Sequence, residues 1–198
     1  MPKKNQFTFN PDSNQTIPFD PNAKRNVIDQ LAWVKKEDVL ATINPQKIPV
    51  SLLLVNIERD NNIGNIIRSA NTFGVEEILI YGRKKFDRRT SVGAEYFLPF
   101  RHIRFVEGLK SLKDEFDLMI GLEQTKDSIE LHSYQWPQTK KTLIAVGHEG
   151  QGLPKEIVQL CDSTLEIEQY GTTRSLNVSV ATGIVLYDYR IKQLGEVS

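Results

Sequence analysis

Short apolar runs recur along this chain, each separated from the next by a segment of helical periodicity, and that alternation fixes most of what it can fold into. SLLLVNI (51–57) is apolar at almost every position, the pattern of a strand buried on both faces. EEILIYG (76–82), HIRFVEG (102–108), FDLMIGLE (116–123), TLIAVGHE (142–149) and TLEIEQ (164–169) repeat the theme. Between them, Asn62 to Phe73 places Ile63, Ile66, Ile67, Ala70 and Phe73 on one helical face, and Gly74 supplies a stop. Leu109–Asp114 reads as a short helix, and Pro154–Leu160 as another with proline in its first turn. Arg174 to Gln193 reads as a long final helix with Leu176, Val180, Ile184, Leu186, Tyr187 and Ile191 available for burial. Strands and helices in alternation predict an α/β fold, a mostly parallel sheet with helices on both faces.

That domain is expected over residues 49–198. Residues 1–48 precede it as an arm with short helices. Residues 1–22 are polar, carry three prolines and read as extended or disordered. Residues 23–43 space Val27, Ile28, Leu31, Val34, Val39, Leu40 and Ile43 for one or two amphipathic helices. Hydrophobic residues make up 39% of the 198, enough for one sizeable core and too many for a disordered chain. The single cysteine, Cys161, excludes an intrachain disulfide and a cysteine zinc cluster. The three histidines lack metal-ligand spacing, so no metal is expected. No apolar run approaches the roughly 20 residues of a membrane helix, and the first residues lack a signal-peptide core. A soluble, cytoplasmic protein is the expectation.

The zero net charge hides an asymmetry. Residues 82–104 carry seven basic side chains (Arg83, Lys84, Lys85, Arg88, Arg89, Arg101, Arg104) against Asp87 and Glu95. By itself such a run is as well read as a solvated loop as a phosphate-contacting surface.

Three polar, glycine-bearing segments sit where a predicted strand gives way to a helix, the place where open α/β sheets bind ligands. In Glu58–Arg68, Asn62 is placed to cap the helix, Gly64 permits close backbone approach, and Arg68 is suited to pairing with a phosphate. In Gly147–Pro154, three glycines leave backbone groups bare beside Glu149. Their spacing, G-x-x-G-x-G, is neither the dinucleotide fingerprint nor a P-loop. In Gly171–Gly183, Ser175 and Asn177 offer short polar side chains at the start of the last helix. Each alone is equally compatible with an ordinary capped helix or tight turn.

Taken together, in order and with SVGAEYFLP (91–99) and GLEQTKDS (121–128) between them, the three segments resemble the motifs of the SpoU/TrmH RNA 2′-O-ribose methyltransferases of the SPOUT superfamily. The resemblance covers residues 51–193. It implies a deep C-terminal trefoil knot, a homodimer, and S-adenosylmethionine held by the knot loops. Matched position by position, it implies a catalytic set of Asn62, Arg68, Glu149, Ser175 and Asn177. It implies a cofactor pocket of Gly147, Ile167 and Leu176, whose backbone cradles the adenosyl part, lined further by Leu122, Glu123, Gln124, His148, Gly152 and Ser175. The substrate would be a guanosine ribose in tRNA first and rRNA second, with Lys84, Lys85, Arg88 and Arg89 meeting its phosphates. The competing possibilities are an RNA-binding factor that kept the fold without the chemistry, and an enzyme using another nucleotide in the same cleft. The resemblance implies that Arg68 acts with the neighbouring RNA phosphate; because a guanidinium is a very poor base, Arg68 is read as phosphate clamp and orienter, with the phosphate or a water accepting the proton.

Overall fold

The computed structural model describes residues 35–83, 85–138 and 140–195, Leu31, and the backbone of Gln6–Thr8. Most of the predicted arm, with Val27, Ile28 and Val34, lies outside the described residues, as does Lys84.

Chain order begins with β1 (Gln6–Thr8) and α1 (Lys36–Ile43), then β2 (Val50–Val55), α2 (Asp60–Phe73) and β3 (Ile78–Tyr81). β4 (Lys85–Asp87), α3 (Arg88–Ser91), β5 (Phe100–Ile103), α4 (Val106–Glu115), β6 (Leu118–Leu122) and β7 (Ile129–Glu130) follow. The last elements are β8 (Thr142–Val146), α5 (Lys155–Val158), β9 (Ser163–Glu166) and α6 (Val178–Gly195). Seven strands form one sheet in the order β5-β3-β2-β8-β6-β9-β7, every neighbouring pair parallel. β1 pairs antiparallel with β4 in a separate two-stranded ribbon.

The side-chain period of two sends alternate residues of β2 to opposite faces. Leu52 and Leu54 join a core with Ile63, Ile66, Ile67 and Ala70 of α2 and Val185, Leu186 and Tyr189 of α6. Leu53 and Val55 join a second core with Leu109 and Leu112 of α4 and Ile157 of α5. Helices therefore cover both faces, and the all-apolar β2 run is what that burial requires. Among the described residues no helix is long and apolar enough to cross a membrane.

Four local expectations are corrected. HIRFVEG is not one strand: β5 ends at Ile103 and α4 begins at Val106. The final helix starts at Val178, not Arg174, because the Asn177 side chain caps it, accepting from Ser179 N at 2.9 Å. Its buried side is Ser179, Thr182, Val185, Leu186 and Tyr189. Of the residues expected to be buried on it, Leu186 is, whereas Leu176, Val180, Ile184, Tyr187 and Ile191 are exposed. Asn62 is not a cap either: α2 begins two residues earlier, after Arg59, with Asp60 in the first turn where a carboxylate suits the helix dipole. Gly64 does admit a close neighbour, but that neighbour is α3. A Cβ there would collide with Thr90 Oγ1 and the Asp87 carbonyl oxygen.

Candidate active site

Three of the sheet's carboxyl ends converge. The loop after β2 carries Glu58 and Arg59, the loop after β8 runs from Gly147 to Leu153, and the chain after β9 runs from Ile167 to Asn177. The side chain of Glu149 ties the second loop to the first. It accepts from the backbone N–H of Glu58 at 3.1 Å and of Arg59 at 3.0 Å, and from Asn62 Nδ2 at 2.8 Å. Asn62 Oδ1 in turn accepts from Asn177 Nδ2 at 3.0 Å, which ties in the third segment. Three residues separated by up to 115 positions form one hydrogen-bonded line. Asn62 is only 5% exposed, so these partners satisfy a polar group that water does not reach.

Burial pushes the Glu149 carboxyl up. The hydrogen bonds from Asn62 and from the backbone of Glu149, Glu58 and Arg59 outweigh it and hold the group below its ordinary value of 4.5. It stands ionised, an acceptor for three donors.

The second loop is held from inside as well. Glu123 Oε2 accepts from Leu153 N at 2.6 Å and its Oε1 from Gln124 N at 3.1 Å. His148 Nδ1 faces the N–H groups of Gly150 at 2.9 Å and Gln151 at 3.1 Å. The backbones of His148 and Gly152 pair across the turn. A Cβ on Gly147 would strike the Gly152 and Leu153 backbone, and Gly152 takes φ of +67°, so both positions demand glycine.

Behind these loops lies a cavity of about 360 Å³. All the predicted cofactor residues line it: Leu122, Glu123, Gln124, Gly147, His148, Gly152, Ile167, Ser175 and Leu176. Glu149 is also at its wall. The sequence reading passed over Glu166, Gln169 and Arg174, which line it too. Their one signal was membership of the strand and loop that carry the third motif.

Arg68 is elsewhere. It is exposed and lines a second cavity, of about 490 Å³, with Lys47, Asn71, Phe73 and Arg190. It lies six residues from Asn62, which at 3.6 per turn places the two about 120° apart around α2. The structure thus brings Asn62, Glu149 and Asn177 together with Ser175 nearby, and leaves Arg68 on another side of the same helix.

Of the predicted phosphate contacts, Arg88 and Arg89 are engaged in ion pairs, as are their neighbours Arg83 and Arg101 in the basic segment. Arg88 bonds Glu95 at 2.9 Å, a carboxylate whose side chain is 2% exposed, and also Tyr96. Arg89 pairs with Asp87 at 2.5 Å, Arg83 with Asp60 at 2.5 Å, and Arg101 with Glu77 and Glu115. Lys85 is exposed on β4. Folding also brings His132 beside Glu168 and Glu130, a grouping the sequence spacing did not suggest.

Residues 49–187 match the SpoU rRNA Methylase family. Over 145 residues the chain is 32% identical to the tRNA (guanosine(18)-2′-O)-methyltransferase of Mus musculus, a match covering 70% of this chain and 9% of that protein. The chain thus spans a small part of that relative's length. Among solved structures, the Aquifex aeolicus TrmH/SpoU tRNA modifying enzyme superposes with a TM-score of 0.72 and 25% identity, covering 81% of this chain and 85% of that one. An AdoMet-bound rRNA methyltransferase from Sinorhizobium meliloti gives 0.67 and 24%, covering 77% and 59%, a likeness of fold. The strand-end loops, their hydrogen-bonded junction and the family match agree: this chain belongs to the SpoU methylase family.

Proposed function

We propose that the chain is an S-adenosylmethionine-dependent methyltransferase acting on a ribose 2′-hydroxyl of RNA, most specifically of a guanosine in tRNA. The observation that carries it is the convergence of the three motif loops on the 360 Å³ cavity, with every position matched to the cofactor on its wall. The residues fit that group. The volume falls in the range of small-molecule sites, about 300–1,000 Å³. Leu122, Val146, Ile167 and Leu176 would offer apolar surface to an adenine, and the carboxylates of Glu123 and Glu166 on the wall would suit the positive charge of a sulfonium. The guanosine ribose of tRNA is argued from the mouse relative's name, and rRNA is the second choice from the family's description.

When bound, the cofactor would supply an electrophilic methyl group for the ribose oxygen and leave as a neutral thioether, and the hydroxyl proton would pass to the neighbouring RNA phosphate or a water. The chain's own task is to hold and orient, and a well-oriented geometry lowers such a barrier by about 7–11 kcal/mol. Glu149 and Asn62 lock the second loop to α2, and Asn177 locks the third segment to both. Ser175 stands exposed on the cavity wall, open to the incoming ribose.

Arg68 does not line its own chain's cavity, which supports a reading in which it clamps the phosphate for the partner's site in a dimer. Val180, Ile184, Tyr187, Ile191 and Leu194 form an exposed apolar stripe along α6 with spacings of three and four. α6 packs beside α2, and Phe73 meets Tyr187 edge-on. A second copy seated on that stripe would bring Arg68, with Lys47 and Arg190 at its cavity, toward the partner's loops.

The trefoil knot is also part of the proposal. Its support is the segment 131–136, which packs against α6. Trp136 Nε1 donates to Asp188 at 2.8 Å, and Lys192 Nζ donates to the carbonyls of Leu131, His132 and Tyr134 at 2.9–3.0 Å.

The test is transfer of a labelled methyl group to tRNA and rRNA lacking ribose methylation, with nucleoside mapping. Labelled 2′-O-methylguanosine in tRNA is the expected product. No transfer to either RNA, with cofactor bound, would return the chain to an RNA-binding role.

A further inference from the structure

His148 does more than line the cavity. Its imidazole sits at the junction of the first two loops, with 19% of its side chain exposed. Nδ1 lies 2.9 Å from the Gly150 nitrogen and 3.1 Å from the Gln151 nitrogen. Both are backbone N–H groups and can only donate, so Nδ1 must present its lone pair. The proton of the neutral ring is then on Nε2, which faces Glu58 Oε2 at 3.4 Å, on the loop that precedes α2. The main chain of the same residue exchanges two hydrogen bonds with Gly152, at 2.9 and 3.1 Å. One residue therefore gathers the N–H groups of 150, 151 and 152 and points its remaining ring proton at the first motif.

We propose that His148 is a positioning residue whose neutral, Nε2-protonated ring folds the Gly147–Leu153 loop into its cofactor-gripping shape and couples it to Glu58. This deepens the proposed function and rests on its cofactor site. The loop has three glycines among its seven residues and little else to hold its middle. Glu149 reaches outward to the first loop, and Glu123 anchors the far end at Leu153. Without the Nδ1 acceptor, the N–H groups of Gly150 and Gln151 have no partner within the turn. The same tautomer prevents His148 from acting as the base for a ribose proton: one ring nitrogen is occupied by two donors and the other already carries hydrogen.

Asparagine is the informative replacement, because its side-chain oxygen accepts from the N–H two residues on in an Asx-turn, as Nδ1 does here. Calorimetry with S-adenosylhomocysteine should find His148→Asn within about threefold of the native Kd and His148→Ala about tenfold weaker, the scale of one or two neutral hydrogen bonds. The KM for S-adenosylmethionine should follow the Kd while kcat stays within about twofold. In the native chain labelled with ¹⁵N-histidine, one histidine should show a bare Nδ1 and a protonated Nε2, and that signal should vanish in both variants. Equal affinities for the native, Asn and Ala chains overturn the inference, and so does a His148 ring protonated on Nδ1. A native chain that binds no S-adenosylhomocysteine instead overturns the cofactor site and this role with it, an outcome told apart by needing no variant.

Discussion

The two sides of α2 are built to opposite specifications. On one, Asn62 is buried and fully engaged, receiving from Asn177 and donating to Glu149. On the other, Arg68 is exposed beside a wide cavity edged by two further cations, Lys47 and Arg190. Both belong to the same sequence motif, six residues apart. The difference teaches that a motif is not a site. The buried side assembles this chain's own loops, and the exposed side leaves Arg68 outside the cavity those loops enclose.

Arg68→Ala attacks the exposed side and should give the largest effect. Methyl transfer should fall by about 10²–10⁴-fold, the scale of losing one positioned catalytic group. Affinity for S-adenosylhomocysteine should stay within about twofold. Mixing this variant with the cofactor-dead Gly147→Ala chain should restore part of the activity, because one hybrid dimer retains an intact composite site. Two inactive chains that stay inactive when mixed would place Arg68 in service of its own subunit.

Gly147→Ala by itself should remove cofactor binding at millimolar ligand, since the added methyl meets backbone rather than a movable side chain. Retained binding in calorimetry would mean that the second loop opens more easily than its contacts suggest.

Breaking the α6 stripe with Ile184→Asp and Tyr187→Asp should convert a dimer to a monomer in sedimentation velocity, with transfer lost and cofactor binding kept. A native chain that sediments as a monomer would sever the link between the exposed side of α2 and a partner.

On the buried side, Glu149→Ala strands three donors and should destabilise the fold by about 1–3 kcal/mol. The pH dependence gives a finer measure. Glu149's folded pKa lies below its ordinary value, so its contribution is present above the ordinary glutamate range and fades as pH falls through the lower, folded value. Denaturation curves should therefore show native stability declining on acidification more steeply than in Glu149→Gln. Parallel profiles would remove Glu149 from the acid response.

The smallest effect is expected at the basic segment. Lys85→Glu should lessen the salt dependence of RNA binding by roughly one unit of slope, the share of one lost phosphate contact. Arg88 and Arg89 are not suitable probes, because reversing either would set a like charge against a buried carboxylate, Glu95 or Asp87.

Much of this architecture was written into local pattern. β2 could be read because a doubly covered parallel strand has to be apolar at consecutive positions, and α2 because one face had to be. α6 was misjudged for an equally local reason. Val180, Ile184, Tyr187 and Ile191 have helical spacing and an apolar character, and nothing in spacing separates a face meant for the core from one left for another molecule. β4 and β7, three and two residues long, carry too little pattern to be seen.

Much of the cavity's lining was legible in the sequence, because its glycines and short polar side chains recur in the family's order, whereas Glu166, Gln169 and Arg174 were not. Three further things were not. One is that Asn62 ends its reach in Glu149 and Asn177 rather than in a helix cap. Another is that Arg88 and Arg89 are already neutralised by neighbours. The third is that His148 holds two loop N–H groups with one ring nitrogen. Periodicity and composition are properties of neighbours along the chain, and they sufficed for the strands, the helices and the ends of the sheet where chemistry belongs. Which polar atom meets which depends on angles accumulated across a separation of as many as 115 positions. Only the closed fold sets those angles, so only it could pair Asn62 with Asn177 and turn Arg68 away from both.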